Sequence, residues 1–380
     1  LKNREGQPQY SFYDGPPFAN GLPHFGHSLV TSIKDSMLRY KTMRGYYVPR
    51  RNGWDCHGLP VEFAIEKDFG VSGKKQILEL GLEKFNAACR DSIFTYKDEW
   101  EHLLRRLGRW SDYENYYATV DNSYTESVWW TLGQINQKGL LYKGYKSTPY
   151  CPRCETPLSN FEVNDGYKDD ISDPSLYVTF KLVEEDASLL GWTTTPWSLP
   201  GNAAIAVNPN AQYVYIELTA VDLVENQEKV LVLAKDRLVA LGHDDYRVVK
   251  EVKGTELVGK KYQPLFRNQG LDSIEGSENL YQVWAADFVS IEDGSGVLHV
   301  APAFGEDDLS LGLEQNIPVL QTVDASGKLK PGIGLDETAG MFFKKADQYI
   351  VEHLAEQGSV YLAETFKHTY PFCWRCETPL

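Results

Sequence analysis

The sequence predicts an α/β protein in two parts: a half-domain of the nucleotide-binding type, followed by a β-barrel-rich (α+β) insertion. Three observations predict this class. The chain opens with a strand-like run, a loop rich in glycine and proline, and an amphipathic helix. Short β-rich runs separated by turns dominate after Gly166. An eight-residue repeat, residues 151–158 and 373–380, brackets this β-rich part.

Composition narrows the class of protein further. Hydrophobic residues make up 42% and aromatic residues 13% of 380 residues, as in a folded enzyme. The formal charge of -15 argues against general polyanion binding, which needs a basic face. No apolar run approaches the ~20 residues that cross a bilayer. With six cysteines and no signal sequence, we expect a reduced, cytoplasmic location.

The first part is predicted element by element. Residues 10–13 are a short strand, and residues 14–23 are a loop because they are rich in helix breakers. Apolar residues at helical spacing from Leu29 to Met37 predict a helix. Residues 46–50 are the next strand. Strand, loop and helix in this order are typical of the opening of a Rossmann-type unit.

The remaining elements follow the change of pattern along the chain. We predict helices over residues 74–107, 124–138 and 344–357. Many short strands at close spacing indicate a barrel-like sheet. The predicted strands are residues 176–183, 203–207, 213–218, 229–234, 246–252, 281–288 and 296–300.

The repeat contains two Cys-x-x-Cys turns. Two such turns can complete a tetrahedral four-cysteine zinc site. The intervening residues, 155–372, form a loop the size of a domain, so a shared ion would close the neck of an insertion. The alternatives are two unrelated turns or two redox pairs.

Two histidines, His24 and His27, lie three residues apart at the start of the first helix. They would face the same side of its first turn, at the positive end of the helix dipole. Free backbone amides and imidazole donors there suit a phosphate chain. The plainer alternative is helix capping. No P-loop or G-x-G-x-x-G motif occurs in this region.

Two stretches in the β-rich part also carry polar chemistry. Residues 191–202 place three threonines before a proline, with several hydroxyls near exposed amides. Residues 296–308 place His299 on a strand and a carboxylate cluster after it. The alternatives are an edge strand that ends at Pro196 and a solvated acidic turn.

The loop from Asp14-Gly-Pro-Pro to His24-Phe-Gly-His27 resembles the His-x-Gly-His signature of class I aminoacyl-tRNA synthetases. Residues 53–62, Gly-Trp-Asp-Cys-His-Gly-Leu-Pro-Val-Glu, are similar to the isoleucyl branch of that family. The resemblance implies that His24 and His27 contact ATP phosphates. It implies that Gly15 and Pro16 line the amino-acid pocket, and that Asp55 receives the α-ammonium group.

Residues 193–197, Thr-Thr-Thr-Pro-Trp, resemble the editing domain of the same branch. By this resemblance, Thr193, Thr194 and Thr195 hold the terminal ribose and the attacking water, and Trp197 packs beside them. His299 lines the aminoacyl pocket, and Asp308 binds the α-ammonium group. The implied reaction is hydrolysis of misacylated Val-tRNA(Ile). A second pocket is needed because one methylene discriminates by only about 1–3 kcal/mol.

The resemblance also implies a domain arrangement. The N-terminal part of the class I catalytic domain occupies residues 1–150, and the editing domain occupies residues 173–365. A zinc-bearing connector has its first half at residues 151–172 and its second half at residues 366–380. The ligands of one structural zinc ion would be Cys151, Cys154, Cys373 and Cys376.

The activity implied for the family is ATP-dependent activation of isoleucine, with Mg²⁺, and its transfer to tRNA(Ile) by a monomer. Lys-Met-Ser-Lys-Ser is absent from the sequence, and so is an anticodon-binding region. We therefore expect a fragment without synthetic activity of its own. The alternatives are a valyl- or leucyl-tRNA synthetase fragment, a stand-alone aminoacyl-tRNA deacylase that would not need the first-helix histidines, and a zinc-stabilised binding module that would need neither pocket.

Overall fold

A computed structural model describes residues 2–219, 229–271 and 274–380. The chain divides into two compact units, Leu1–Gly144 and Tyr145–Leu380. Each hydrophobic cluster of buried residues lies within a single unit. The finer domain boundaries at residues 172 and 365 stay predictions. Among the described residues, none of the helices is both long enough and apolar enough to span a bilayer.

The first unit is mainly helical, as predicted for residues 74–107 and 124–138. Its elements are α1 (Phe25–Met43), β1 (Arg51–Trp54), α2 (Leu59–Phe69), α3 (Gly73–Leu80), α4 (Leu82–Ser92), α5 (Lys97–Arg106), β2 (Asp112–Ala118) and α6 (Asn122–Gln137).

The two short strands predicted in this unit were wrong in position. Residues 10–13 form no strand, and only a single parallel bridge joins Gln9 to Tyr47. Within residues 46–50, Pro49 has no N–H to donate to a ladder. The strand therefore begins one residue after the predicted range, at Arg51, where β1 pairs in parallel with β2.

Helix α1 forms where its apolar spacing predicted it, but that apolar face is exposed. Leu29 and Ile33 are 62% and 63% exposed. The buried face instead contains Asp35, which pairs with Arg50 and accepts a hydrogen bond from the backbone N–H of Trp110 at 3.1 Å. Polar contacts therefore anchor this helix within the unit.

The second unit consists of a large sheet with three α-helices around it, counted over the residues that the structure describes. The strands are β3 (Tyr150–Cys151), β4 (Thr156–Pro157), β5 (Tyr167–Lys181), β6 (Ser188–Thr193), β7 (Ala204–Val207), β8 (Gln212–Leu218), β9 (Val230–Ala234), β10 (Tyr246–Lys253), β11 (Val283–Ala285), β12 (Val297–Val300) and β13 (Val360–Pro371). The helices are α7 (Asn160–Asn164), α8 (Glu306–Glu314) and α9 (Phe343–Glu356).

Nine of these strands, within the described residues, form one mixed sheet in the order β10-β8-β9-β6-β12-β7-β11, with β5 joined to β6 and β13. The sheet curls. Lys261 bridges to Gln282 beside β11, and Tyr262 bridges to Leu182 at the end of β5. The predicted barrel-rich class is confirmed in this curled, half-barrel form.

Several elements of this unit were not among the predicted ranges, including strand β13 and helix α8. Strand β13 pairs antiparallel with β5 over most of its length, and together they form a long ribbon. Helix α8 begins at Glu306, in the carboxylate cluster whose alternative interpretation was a solvated acidic turn. Asp and Glu in a first helical turn interact favourably with the helix dipole, so the acidic cluster is the signal for this helix start.

Candidate metal centre and active sites

The four cysteines of the repeat converge at the base of the β5–β13 ribbon. Their sulfur atoms all lie within 4.8 Å of one another. Cys376 Sγ lies 3.5 Å from Cys151 Sγ and 3.7 Å from Cys154 Sγ. A tetrahedral zinc ion with Zn–S bonds of about 2.3 Å needs sulfurs roughly 3.8 Å apart. The donor set and its spacing therefore fit a Cys₄ metal ion.

The two cysteine turns share a backbone conformation as well as a sequence. Glu155 and Glu377, each directly after the second cysteine of a turn, are both left-handed, with φ of 49° and 57°. The ribbon strands meet closely above the turns at Gly166. A Cβ there would lie 1.9 Å from the carbonyl oxygen of Phe372, so only glycine fits this crossing.

Three thiols of this cluster, those of Cys151, Cys154 and Cys376, have strongly shifted pKa values. Burial raises the pKa of Cys154 to about 11. The hydrogen bond that Cys151 donates lowers the pKa of Cys376 to about 4. A divalent cation would replace these protons and offset repulsion among the thiolates. Four sulfur ligands leave no open coordination position, so such an ion would be structural.

In the first unit, the paired histidines lie at the start of α1. His24 is the N-cap residue, and its backbone N–H donates to His27 Nδ1 at 3.2 Å. The two rings stack with centroids 3.6 Å apart, and His27 packs edge-on against Trp100 at 4.6 Å. Burial, and secondarily the neighbouring His24, lower the pKa of His27. Capping and ligand binding are therefore compatible roles for this pair.

A cavity of about 280 Å³ opens beside these rings. Gly15, Pro16, His24 and His27 all line it, so four of the five residues predicted for this site come together. Asp55 is not among the described lining residues. It lies at the end of β1, and its backbone N–H donates to the carbonyl oxygen of Pro17 at 2.9 Å.

Sequence reasoning missed the charged residues around this cavity. Asp14 Oδ1 pairs with Lys34 Nζ at 2.5 Å, and its Oδ2 pairs with Arg109 at 2.6 Å. Buried Asn52 also lines the cavity, and its amide nitrogen has no hydrogen-bond partner in the described structure. Of these residues, only Asp14 belongs to a motif identified in the sequence. Lys34, Asn52 and Arg109 reach the cavity from distant parts of the chain.

In the second unit, a cavity of about 290 Å³ opens at the carboxyl ends of strands β6 and β12. Strands β6 and β12 are parallel neighbours at Trp192 and Leu298, so their carboxyl ends open on the same side. The residues that follow β6 and those around the end of β12 therefore face each other. All six residues predicted for the second pocket line it: Thr193, Thr194, Thr195, Trp197, His299 and Asp308.

The threonine loop is held by its own hydroxyls. The backbone N–H of Thr195 donates to Thr193 Oγ1 at 3.1 Å, and the two hydroxyl oxygens are 3.3 Å apart. The Trp197 ring packs against Phe304 and Phe343, with centroid distances of 4.9 and 4.7 Å. The loop thus presents a fixed row of hydroxyls backed by aromatic rings.

Asp308 lies in the first turn of α8 and closes the other side of the cavity. Its Oδ2 accepts a hydrogen bond from the backbone N–H of Ala301 at 2.8 Å. A Cβ at Gly305 would lie 2.8 Å from this carboxyl group, so the carboxyl group fits only beside glycine. Burial raises the pKa of Asp308. An ammonium group bound beside it would favour the charged carboxylate.

His299 is the most buried titratable group of this cavity. Its side chain contacts Ser198 Oγ through Nε2 at 3.1 Å and the Asn202 amide through Nδ1 at 2.8 Å. Burial lowers the pKa of His299 to about 4. The ring is therefore neutral near pH 7. It can orient a hydroxyl, but it does not offer a cation.

Comparison with known protein families identifies the class of this protein. The family model for tRNA synthetases of class I (I, L, M and V) matches residues 1–352, so the chain belongs to that family. Within the family, isoleucine–tRNA ligases are among the curated relatives that match the whole chain.

Three of these relatives show the extent of the match. The isoleucine–tRNA ligase of Clostridium novyi is 48% identical over 380 residues. Those of Thermus thermophilus and Bacillus thuringiensis are 46% and 45% identical. In each case the whole chain aligns with 35% of the relative, so the chain spans about a third of the length of these proteins.

The structural comparison is weaker. "The crystal structure of GlLeuRS-CP1" is matched over 50% of this chain and 98% of that chain, with a TM-score of 0.37 and 12% sequence identity. This similarity is too low to support an argument about function.

Proposed function

We propose that the second unit is an editing domain that hydrolyses Val-tRNA(Ile). One observation carries the proposal. Six residues chosen from two separate stretches of sequence line a single cavity, in which hydroxyls face a carboxylate. An aminoacyl ester carries an α-ammonium group at one end and a ribose hydroxyl at the other, so it presents complementary chemistry to these two sides.

In the proposed reaction, Asp308 binds the α-ammonium group and the hydroxyls of Thr193, Thr194 and Thr195 hold the terminal ribose and a water molecule. The water oxygen attacks the ester carbonyl carbon. The bond to the ribose oxygen then breaks, and this oxygen leaves with the proton that water gives up. The products are free valine and the tRNA hydroxyl. No protein nucleophile is required.

Trp197 and Phe304 form the apolar wall of the cavity. We propose that this wall admits valine and excludes isoleucine. The synthetic pocket cannot achieve this discrimination alone, because one methylene is worth only about 1–3 kcal/mol in a hydrophobic pocket. A pocket that rejects the larger side chain supplies the rest.

For the first unit we propose the corresponding part of the activation site of an isoleucine–tRNA ligase. His24 and His27 contact the phosphates of Mg²⁺-bound ATP. Gly15 and Pro16 line the isoleucine pocket, and Asp55 binds its α-ammonium group. The proposal is supported by the shared cavity of the first four residues. The full activity is transfer of isoleucine to tRNA(Ile) by a monomer in the cytoplasm.

For the cysteine cluster we propose one structural zinc ion, held by Cys151, Cys154, Cys373 and Cys376. The sulfur positions and the all-thiolate donor set support this proposal. The ion fastens the two halves of the connector, residues 151–172 and 366–380, at the base of the editing domain, residues 173–365. Residues 1–150 would then be the catalytic part.

The proposal is tested by comparing deacylation of Val-tRNA(Ile), Ile-tRNA(Ile) and Thr-tRNA(Val) by this chain, with zinc measured in the same preparation. We expect Val-tRNA(Ile) to be hydrolysed fastest and zinc to approach one ion per chain. Fastest hydrolysis of Thr-tRNA(Val) would assign the pocket to a valyl enzyme instead. Absence of hydrolysis above the uncatalysed rate for all three would overturn the editing function.

A further inference from the structure

A continuous run of buried hydrogen bonds leads from the core of the second unit to the threonine loop. Tyr262 OH donates to Asn202 Oδ1 at 2.6 Å, and Asn202 Nδ2 lies 2.8 Å from His299 Nδ1. His299 Nε2 lies 3.1 Å from Ser198 Oγ, which donates to the carbonyl oxygen of Thr195 at 2.8 Å. None of the predicted roles uses Tyr262 or Asn202.

The other contacts of Asn202 and Ser198 determine which atom donates in each of these hydrogen bonds. Asn202 Nδ2 also donates to the carbonyl oxygen of Ala204 at 2.9 Å, and a carbonyl oxygen can only accept. The amide nitrogen therefore faces Ala204 and His299, while the amide oxygen faces Tyr262. This orientation makes His299 Nδ1 an acceptor without a proton.

The same reasoning determines the protonation of the other ring nitrogen, His299 Nε2. A neutral imidazole with an unprotonated Nδ1 carries its proton on Nε2. Ser198 Oγ already donates to the carbonyl oxygen of Thr195, so it can accept the proton of His299 Nε2. A hydrogen bond to the backbone of Ser198 also engages the His299 ring and opposes the lowering of its pKa.

The surroundings of the His299 ring keep it uncharged. His299, Asn202 and Tyr262 are 6%, 4% and 2% exposed. Asp308 is the other titratable residue lining the cavity, and its Oδ2 is bonded to a backbone N–H. Since burial lowers the pKa of His299 to about 4, the ring stays uncharged through the physiological range.

We propose that Tyr262 and Asn202 are positioning residues that hold His299 as the neutral Nε2–H tautomer. In this form His299 donates a hydrogen bond that orients Ser198 and the Thr195 backbone, and it cannot act as the base that deprotonates water. The tautomer follows from geometry alone, whereas its effect on catalysis rests on the proposed editing function.

The tautomer is tested directly by NMR on the complete chain, with nitrogen-15 introduced into its eight histidines. His299→Gln assigns the His299 signals by their loss. We expect an unprotonated Nδ1 and a protonated Nε2, without titration between about pH 5 and pH 8. A proton on Nδ1, or a titration near the ordinary histidine pKa, would overturn the proposal.

The buried Tyr262 and the partly buried Tyr281 provide a matched pair for the positioning role. Tyr262 and Tyr281 pack edge-on with centroids 6.1 Å apart, but the hydroxyl of Tyr281 has no hydrogen-bond partner in the described structure. Tyr262→Phe should slow Val-tRNA(Ile) deacylation about tenfold, because it leaves the Asn202 carbonyl without its donor. Tyr281→Phe should change the rate by less than about twofold. Equal rates for the two variants would contradict the positioning role.

The donor role is separated from a base role by conservative replacement of His299. Glutamine retains an N–H donor, whereas alanine removes it. We expect His299→Gln to keep clearly more deacylation activity than His299→Ala. Equal loss in both, with an acidic limb in the wild-type pH–rate profile that His299→Gln abolishes, would indicate a base. If the wild-type chain does not deacylate at all, the proposed function fails while the NMR result still decides the tautomer.

Discussion

A single carboxylate, that of Asp347, holds the start of the 3₁₀ helix Pro196–Gly201. Pro196 has no N–H, so the first free donor of this helix is the backbone N–H of Trp197, which donates to Asp347 Oδ1 at 2.8 Å. Asp347 is 6% exposed. Its pKa is raised to about 7, chiefly by burial and to a smaller degree by Asp173, while the hydrogen bond from the Trp197 N–H and the charge of Lys344 oppose the rise.

This geometry predicts different outcomes for two substitutions of Asp347. Alanine leaves the partly buried N–H of Trp197 without this acceptor and should lower the free energy of unfolding by about 1–3 kcal/mol. Asparagine keeps an acceptor and should cost much less. Because the folded pKa is raised, the wild-type carboxyl group favours folding at acid pH and loses that contribution as the pH rises through about 7.

Urea unfolding at pH 5 and pH 8 checks both outcomes. Asp347→Asn should reduce the loss of stability that the wild type shows between these two values. Equal destabilisation by asparagine and alanine would show that the contact with Trp197 does not depend on the acceptor.

Residue roles of this kind were only partly predictable. The threonine loop, His299 and Asp308 belong to local motifs, so the sequence identified them. Asp347 and Tyr262 act on residues 150 and 60 positions away, respectively. Neither has a local pattern that distinguishes it from an ordinary buried residue, and only the fold reveals its partner.

At the scale of elements, the cysteine turns depend on both arms of the β5–β13 ribbon. Cys376→Ser should lower the zinc content and loosen the base of the ribbon, because a hydroxyl replaces a thiolate ligand. Cys89→Ser is the matched control, since Cys89 is partly buried and lies outside the cluster. Metal analysis and thermal unfolding of both variants measure the effect.

Full retention of zinc by Cys376→Ser would show that Cys376 is not one of the zinc ligands. A loss of zinc in Cys89→Ser would mean that the metal is held elsewhere. Only loss in the first variant together with retention in the second agrees with the Cys₄ centre.

Elements were predicted best where a periodic pattern matched the local environment. Helix α9 (Phe343–Glu356) and strands such as β8 combine clear periodicity with burial, and they form within one or two residues of the predicted bounds. Strand β13 was missed because half of its twelve residues are exposed and only one is buried, so no core-facing pattern marks it in the sequence.

At the scale of the whole molecule, the two units have separate cores. The main cluster of the first unit surrounds Trp54 and Trp100, and those of the second unit surround the sheet and the cysteines. We therefore expect residues 145–380 to fold alone, to retain zinc and to hydrolyse Val-tRNA(Ile) at a rate within about tenfold of the 380-residue chain.

Deacylation by purified residues 145–380, together with circular dichroism as a control for folding, measures this outcome. A folded, zinc-containing unit that cannot hydrolyse Val-tRNA(Ile) would show that the editing activity depends on the first unit.

We propose that the second-unit cavity recognises a misattached amino acid through Asp308. The most direct measurement compares the rates at which wild type, Asp308→Ala and Asp307→Ala hydrolyse Val-tRNA(Ile). The adjacent Asp307 is exposed and does not line the cavity, so it provides the control. We predict a loss of at least about tenfold for Asp308→Ala and little change for Asp307→Ala. Turnover at the wild-type rate by Asp308→Ala would show that Asp308 does not recognise the amino acid.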